Sequence, residues 1–559
     1  MPGLATMPNS CNFVTFSTAV SLLGQHHHSL LNQAILFMKR TILVTGILLI
    51  SICNLKAQVQ VLTPAEIDSI TELTMKVFNV PGIAVAVVKD GKVVHAKGYG
   101  VQSLKTGKKT DENTLFGIAS NSKAFTSAAL GILADEGKLK WDSKVRDFIP
   151  EFKLYSPYVT EEFTIRDLLT HRSGLGLGAG DLMIWPDSTD FTKQDIIHNL
   201  QYLKAVSGFR TRYDYDNNLY IIAGEVIARA SGMSWEDFIE KRIMQPLNMT
   251  YSAASPGRIK NKSLAIDPHA PVDGKVVPIK NSISEQANAA GGIWSNLTDM
   301  CKWVTMQLND GKYGEGLSKQ LFSKQAHDEM WTPQTIIPVR NIYIPYKTQF
   351  TSYGLGWLLS DVKGYKQVAH TGGLAGIVTQ VLLIPELKLG IIVLTNQQVS
   401  LAFTAISNTI KDSYLGIPKS DWIMLYNKRY LAGQEDAKKI TDNIWKDIET
   451  QQRNNTVKPD LQLFAGTYTD QWFGDVTIAE KNGKLWFSAK RSPKLSGEML
   501  AYKGNTFIAK WNDRSMDADA YVMFSLDMDG KASGFKMKPI SPLTDFSFDF
   551  QDLDLKRTK

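Results

Sequence analysis

Cysteine is almost absent from this chain. Of three in 559 residues, Cys11 and Cys53 precede the first amphipathic segment and Cys301 stands alone beyond it, so no intramolecular disulfide braces the folded part and packing must stabilise it. The apolar run Ile42 to Cys53 falls short of the roughly 20 residues that cross a bilayer as a helix. The formal charge is only +7, and no basic run is interleaved with aromatics, which removes support for nucleic-acid binding. Neither Gly-x-Ser-x-Gly nor His-Glu-x-x-His occurs, so α/β-hydrolase and zincin readings lose their main support. His95, His198, His269 and His327 are scattered without ligand spacing, and the expectation is no metal and no cofactor. Internal repeats and low-complexity tracts are missing as well.

What is present suffices for large cores: 43% hydrophobic and 10% aromatic residues over a length that exceeds one ordinary domain. Met38-Lys39-Arg40, the apolar run and Asn54 to Gln58 read as a signal peptide over residues 38–57, cut after Ala57, giving a secreted or periplasmic protein. Lipoprotein processing before Cys53 is disfavoured by the bulky Ile52. Residues 1–37, with His26-His27-His28, are then upstream of the natural start.

Thr63-Pro64-Ala65-Glu66 is a capping box ahead of an amphipathic helix. Ile83 to Val88 and Val93 to Lys97 flank Asp90-Gly91, a hairpin signal. From Asp142 to about Lys347 the pattern is helical or irregular, with a cap at Thr164 and an amphipathic segment from Leu219 to Ala230. Strands are expected at Gln367 to Thr371, Ile377 to Ile384 and Leu389 to Thr395, then a helix from Leu401 to Tyr414. Strands at both ends with helices between predict one mixed α/β domain over 58–418, an antiparallel sheet completed by distant segments. Residues 419–459 read as a charged helical linker. Beyond it, short alternating runs, among them Val476 to Ala479, Thr506 to Trp511 and Phe546 to Phe550, predict a small all-β domain over 460–559. In that reading Phe546, Phe548 and Phe550 alternate as core residues would.

Three Ser-x-x-Lys spacings occur, at Ser120/Lys123, Ser360/Lys363 and Ser533/Lys536. Ser360 precedes a turn and Ser533 lies in a strand-like run; only Ser120 opens a long apolar, Ala-rich helix, which would bring the Lys123 ammonium toward its hydroxyl. A serine nucleophile needs a base, and Lys123 serves only if its pKa is lowered. Tyr215-Asp216-Asn217 is the one Tyr-x-Asn in the chain. Its tyrosine, held near an ammonium, would be phenolate-like and accept the serine proton. His370-Thr371-Gly372-Gly373 follows on an expected strand.

This order resembles the serine hydrolase superfamily of class C β-lactamases, low-molecular-mass penicillin-binding proteins, D-aminopeptidases and related esterases. Leu168 to Leu175, Ala290 to Ser295 and Tyr353 to Trp357 add to the likeness, which covers about Thr63 to Pro418. It implies the β-lactamase/transpeptidase-like fold and an acyl-enzyme on Ser120. Lys123 and Tyr215 would share acid–base work, Asn217 would orient the substrate, and His370 and Thr371 would line an edge strand beside the bound acyl group. The N–H groups of Ser120 and Gly373 would form the oxyanion hole, beside Gly372. The resemblance makes His171 a structural histidine.

Two departures shape the expectation. His370 replaces the lysine of Lys-Thr-Gly, which weakens capture of a substrate carboxylate and favours the peptidase and esterase branches. Asp216 stands where serine or alanine is commoner, and a carboxylate there would hold Lys123 charged. The reading is an exported serine hydrolase cleaving an amide or ester in a small-molecule or peptide substrate, without membrane span in its mature form. The alternative is a penicillin-binding or sensor-type protein that acylates without efficient turnover. The C-terminal domain resembles lipocalin-like appendages, covering the cleft or mediating a homo-oligomer.

Overall fold

The computed structural model describes residues 36–38, 61–280, 284–339, 345–454 and 459–558. Apart from Met38, the expected signal peptide lies outside them. Among the described residues no helix is long and apolar enough to cross a membrane.

The expected capping box is present: Thr63 accepts from the Glu66 N–H, Glu66 reaches back, and helix α1, Pro64–Phe78, follows. Strands β1, Gly82–Lys89, and β2, Lys92–Gly100, form the hairpin around Asp90-Gly91, both with positive φ. Helices α2, Ser122–Asp135, α3, Asn218–Ser231, and α4, Leu297–Leu308, belong to the long middle segment. Strands β3, Thr335–Ile337, β4, Thr351–Tyr353, β5, Leu358–Val362, β6, Tyr365–Leu374, β7, Ile377–Ile384, and β8, Leu389–Thr395, return the chain to the sheet. The sheet is antiparallel, in the order β2-β1-β8-β7-β6-β5-β4-β3.

Both faces of this sheet are covered, which is why β1, β7 and β8 read as continuous apolar runs rather than alternations. On β1, Ile83, Val85 and Val87 share one core with α1 and helix α5, Ser400–Leu415; Ala84, Ala86 and Val88 enter the other core, with α2, α3 and α4. The segment expected as a linker is one helix, α6, Trp422–Asn454, about 50 Å long. Its start packs Trp422, Ile423 and Tyr426 into the layer behind the sheet, and its later turns bury Ile444 and Ile448 against Ile508 and Ile540.

The C-terminal strands close into a barrel in sequence order: β9, Gly466–Asp470, β10, Gly474–Lys481, β11, Lys484–Ala489, β12, Ser496–Lys503, β13, Thr506–Trp511, β14, Ala520–Leu526, β15, Ala532–Pro539, and β16, Leu555–Arg557. Pairing of Tyr468 with Arg557 closes it and leaves no open edge. Tyr468, Phe487, Phe507, Phe524, Phe535 and Trp511 fill its interior. The alternating expectation fails at Phe546 to Phe550: this stretch is a loop ending in a 3₁₀ turn, with Phe548 and Phe550 buried and Phe546 exposed. The backbone of this stretch makes its hydrogen bonds locally, Phe548 N–H to the Asp545 carbonyl and Phe550 N–H to the Phe548 carbonyl, rather than in a ladder, while the Asp549 carboxylate accepts the Gly180 N–H.

Candidate active site

Ser120 does not open the α-helix. It sits on a 3₁₀ turn, Ala119–Asn121, between the two-residue strand Phe116–Gly117 and α2. Ala119 enters the turn at a φ of 50°, a conformation costing an L-residue about 1–2 kcal/mol, so neighbours must hold it. They do: the Asn121 amide donates to the Ile118 carbonyl (3.1 Å) and to Thr379 Oγ1 (2.9 Å), and Thr379 Oγ1 donates to the same carbonyl (2.9 Å). The turn that carries Ser120 is thereby fastened to β7.

Lys123, on the first turn of α2, is wholly buried. Its Nζ lies 3.2 Å from Ser120 Oγ, 2.7 Å from Asn217 Oδ1 and 3.0 Å from the Ala290 carbonyl. Burial pushes its pKa down to about 7, against the pull of Asp181 and Asp216. Tyr215 sets its ring 4.7 Å from Lys123 Nζ, with its hydroxyl on the Ser120 side. Here the phenolate expectation is corrected: burial raises the Tyr215 pKa well above its ordinary value, and the lysine meets the ring face, so the group is a neutral phenol. Asp216 accepts the Asn218 N–H, and burial lifts its own pKa well above the ordinary carboxyl value; its charge draws the Lys123 pKa upward in the expected direction, and burial of the lysine outweighs that pull.

Strand β6 is an edge over half its length. Its pairing with β5 ends at Ala369, so His370 to Leu374 pair only with β7 and face the Ser120 turn. Gly372 permits that approach: a Cβ there would stand 2.4 Å from the Ile118 carbonyl and 2.8 Å from Ala119 Cβ, whereas one on Gly373 would meet nothing within 4 Å. His370 Nδ1 lies 2.6 Å from the Thr371 carbonyl, which can only accept, so Nε2 accepts from the Tyr353 hydroxyl at 2.8 Å. His171, packed against the Tyr215 ring, is buried and accepts the Asp216 N–H at Nδ1, a backbone contact 45 residues along the chain.

A cleft of about 990 Å³ brings Ser120, Tyr215, Asn217, His370, Thr371, Gly372 and Gly373 together. Lys123 lies beneath the cleft, hydrogen-bonded to Ser120 and Asn217. Barrel residues line the same cleft, including Arg514, Asp545 and Phe546. Phe546 lies edge-on to the Tyr215 ring, with centroids 5.8 Å apart. Sequence reasoning missed Asp181, a buried carboxyl that accepts from Asn217 Nδ2 and from Ser547 Oγ, both at 2.8 Å. Burial pushes its pKa up to about 7, opposed by those two hydrogen bonds and by Lys123. No motif marks Asp181; the loop Gly174 to Gly180, dense in glycine, was the only available signal.

The family profile described as Beta-lactamase matches residues 67–413, and a domain of unknown function, DUF3471, matches residues 451–557. The chain is 27% identical over 454 residues to Unguisins hydrolase ungD from Aspergillus violaceofuscus, covering 76% of this chain and 78% of the relative. It is 27% identical over 342 residues to Protein flp from Staphylococcus aureus, covering 59% and 62%. Among solved structures, the octameric penicillin-binding protein homologue from Pyrococcus abyssi aligns with a TM-score of 0.55 at 22% identity, over 88% of this chain and 99% of that one. A class C β-lactamase aligns with a TM-score of 0.50 at 22% identity, over 63% and 96%. The structural likenesses speak for the fold alone; the profile spans more than half of the chain. The chain belongs to the β-lactamase family of serine hydrolases.

Proposed function

We propose that this protein is an exported hydrolase that cleaves an amide or ester through an acyl-enzyme on Ser120. The observation that carries the reading is the buried Lys123 ammonium, 3.2 Å from the Ser120 hydroxyl with a pKa near 7. A lysine that gives up its proton at neutral pH is matched to general-base work there. Neutral Lys123 takes the Ser120 proton as Oγ bonds to the substrate carbonyl carbon. The N–H groups of Ser120 and Gly373 receive the oxyanion, a contribution of roughly 3–4 kcal/mol per donor. The neutral Tyr215 phenol passes a proton to the leaving nitrogen or oxygen as its bond to carbon breaks, while Lys123 keeps the serine proton for return to Oγ and the phenolate stands ready for the proton of water. Water then releases the acyl group by the reverse route.

The neutral His370 offers no cation to a substrate carboxylate, which supports peptides, amides and esters over β-lactams. The hydrolase name of the Aspergillus relative supports hydrolysis as the reaction. Export rests on the signal-peptide reading of residues 38–57 with cleavage after Ala57. A homo-oligomer through the barrel is the corresponding proposal for assembly, and a monomeric mass by light scattering would remove it.

The test is covalent labelling by a fluorophosphonate probe in wild type and Ser120→Ala, followed by a panel of esters, D-amino-acid amides and β-lactams. Labelling lost in Ser120→Ala with steady turnover on the panel is the expected result; undiminished labelling would sink the assignment. A burst without turnover on every substrate would favour the acylating sensor.

A further inference from the structure

The geometry points to Asp181 and Ser547 as positioning residues of the catalytic site, a hydrogen-bonded relay through which the barrel sets the Asn217 amide and the charge facing Lys123. This rests on the reading of Ser120 as the nucleophile. The relay runs without a break. Ser547 Oγ donates to Asp181 Oδ2 at 2.8 Å, Asn217 Nδ2 donates to the same oxygen at 2.8 Å, Lys123 Nζ donates to Asn217 Oδ1 at 2.7 Å, and Lys123 reaches Ser120 at 3.2 Å.

The chemistry of an amide makes this arrangement directional. A carboxylate accepts only and an ammonium donates only, so Asn217 must present nitrogen to Asp181 and oxygen to Lys123. The flipped amide would set N–H against ammonium and oxygen against carboxylate, two repulsive contacts in a buried site. One side of the relay thus dictates the other, and an N–H of Asn217 is left for a substrate carbonyl.

The barrel grips the segment that carries Asp181. Asp549 Oδ2 accepts the Gly180 N–H at 2.5 Å, and a Cβ on Gly178 would stand 2.9 Å from Phe546, so the two chain segments lie in close contact. Asp181 Oδ1 is buried and has no hydrogen-bond partner among the described residues, so a local capping duty does not account for the whole group.

Lys123 also faces Asp216, His171, His370, Tyr215 and Tyr220, while Asp545 and Asp549 face Asp181 from the barrel. Of the carboxyls facing Lys123, Asp181 is joined by a hydrogen bond to a group that Lys123 itself touches. An ionised Asp181 favours the protonated lysine, and the Ser547 hydroxyl favours the ionised Asp181. Removing either partner therefore eases the loss of the lysine proton.

The experiment measures the rate of fluorophosphonate labelling of the full chain against pH, in wild type, Asp181→Asn, Ser547→Ala, Ser547→Thr and Ser120→Ala. Asp181→Asn should move the rising limb to lower pH and cut the plateau by up to about a hundredfold, the scale of loss from a misplaced catalytic group. Ser547→Ala should move it in the same direction by less, and Ser547→Thr, which keeps the hydroxyl, should restore the wild-type profile. A limb that stays in place while the rate falls uniformly would reduce both residues to structural contacts and overturn the inference. Labelling abolished by Ser120→Ala alongside an unmoved limb sinks the relay alone; labelling that survives Ser120→Ala sinks the nucleophile first.

Discussion

The Tyr353 hydroxyl donates to Nε2 of His370 at 2.8 Å, which leaves that ring nitrogen an acceptor and the imidazole neutral. Burial and the nearby Lys123 charge push the His370 pKa down to about 3, so the ring stays uncharged across neutral pH. The rate of Ser120 acylation should accordingly rise through about pH 7 as Lys123 loses its proton, with no inflection from histidine. A pH–rate profile whose limb disappears in His370→Asn would contradict this.

Tyr215→Phe separates two proton transfers. The variant keeps the ring beside Lys123 and loses the hydroxyl that meets Ser120. Hydrolysis of an amide, whose leaving nitrogen must be protonated, should fall by roughly 10²–10⁴-fold. Labelling by a fluorophosphonate, whose leaving group departs as an anion, should fall much less. Equal losses in both assays would argue against a general-acid role.

Gly372→Ala and Gly373→Ala differ by one chain position and should differ greatly in effect. The first places a Cβ against the Ile118 carbonyl and the Thr379 hydroxyl, at 2.4 and 2.6 Å, and must push β6 away from the nucleophile turn. An acylation loss on the order of a hundredfold is expected. The second meets open space and keeps its N–H, so labelling by a small probe should stay near the wild-type rate.

Phe546 projects from the barrel into the cleft beside Tyr215. Phe546→Ala should raise KM for a bulky apolar substrate by on the order of tenfold, the scale of a modest loss of hydrophobic contact, with kcat changed little. A fall in kcat with KM unaltered would move Phe546 from substrate binding to the chemistry.

Much of the fold was readable because its signals are local. Thr63 and Glu66 cap a helix within one turn, Asp90-Gly91 closes a hairpin between adjacent strands, and β7 and β8 are mostly apolar because both of their faces are buried. Strand β12, Ser496–Lys503, escaped notice: Gly497, Glu498 and Lys503 break its alternation, and its partners on either side supply the pairing. Phe546 to Phe550 misled in the opposite way. Alternating aromatics satisfy a strand and a loop equally well when each ring finds its own pocket.

The same division holds at the site. Ser120, Lys123, Tyr215, Asn217 and His370 are identified by short spacings, because a residue and its neighbour two or three positions on share one turn or one strand wherever the element goes. The sequence by itself therefore determined the candidate reacting groups and their order along the chain. Only the tertiary structure decided their protonation, since the burial that lowers Lys123 and raises Tyr215 and Asp216 is built from distant elements. It alone also brought Ser547 to Asp181, residues from the barrel and from the hydrolase fold that no local pattern connects. Hydrogen bonds and desolvation act through space, and their partners are chosen by packing.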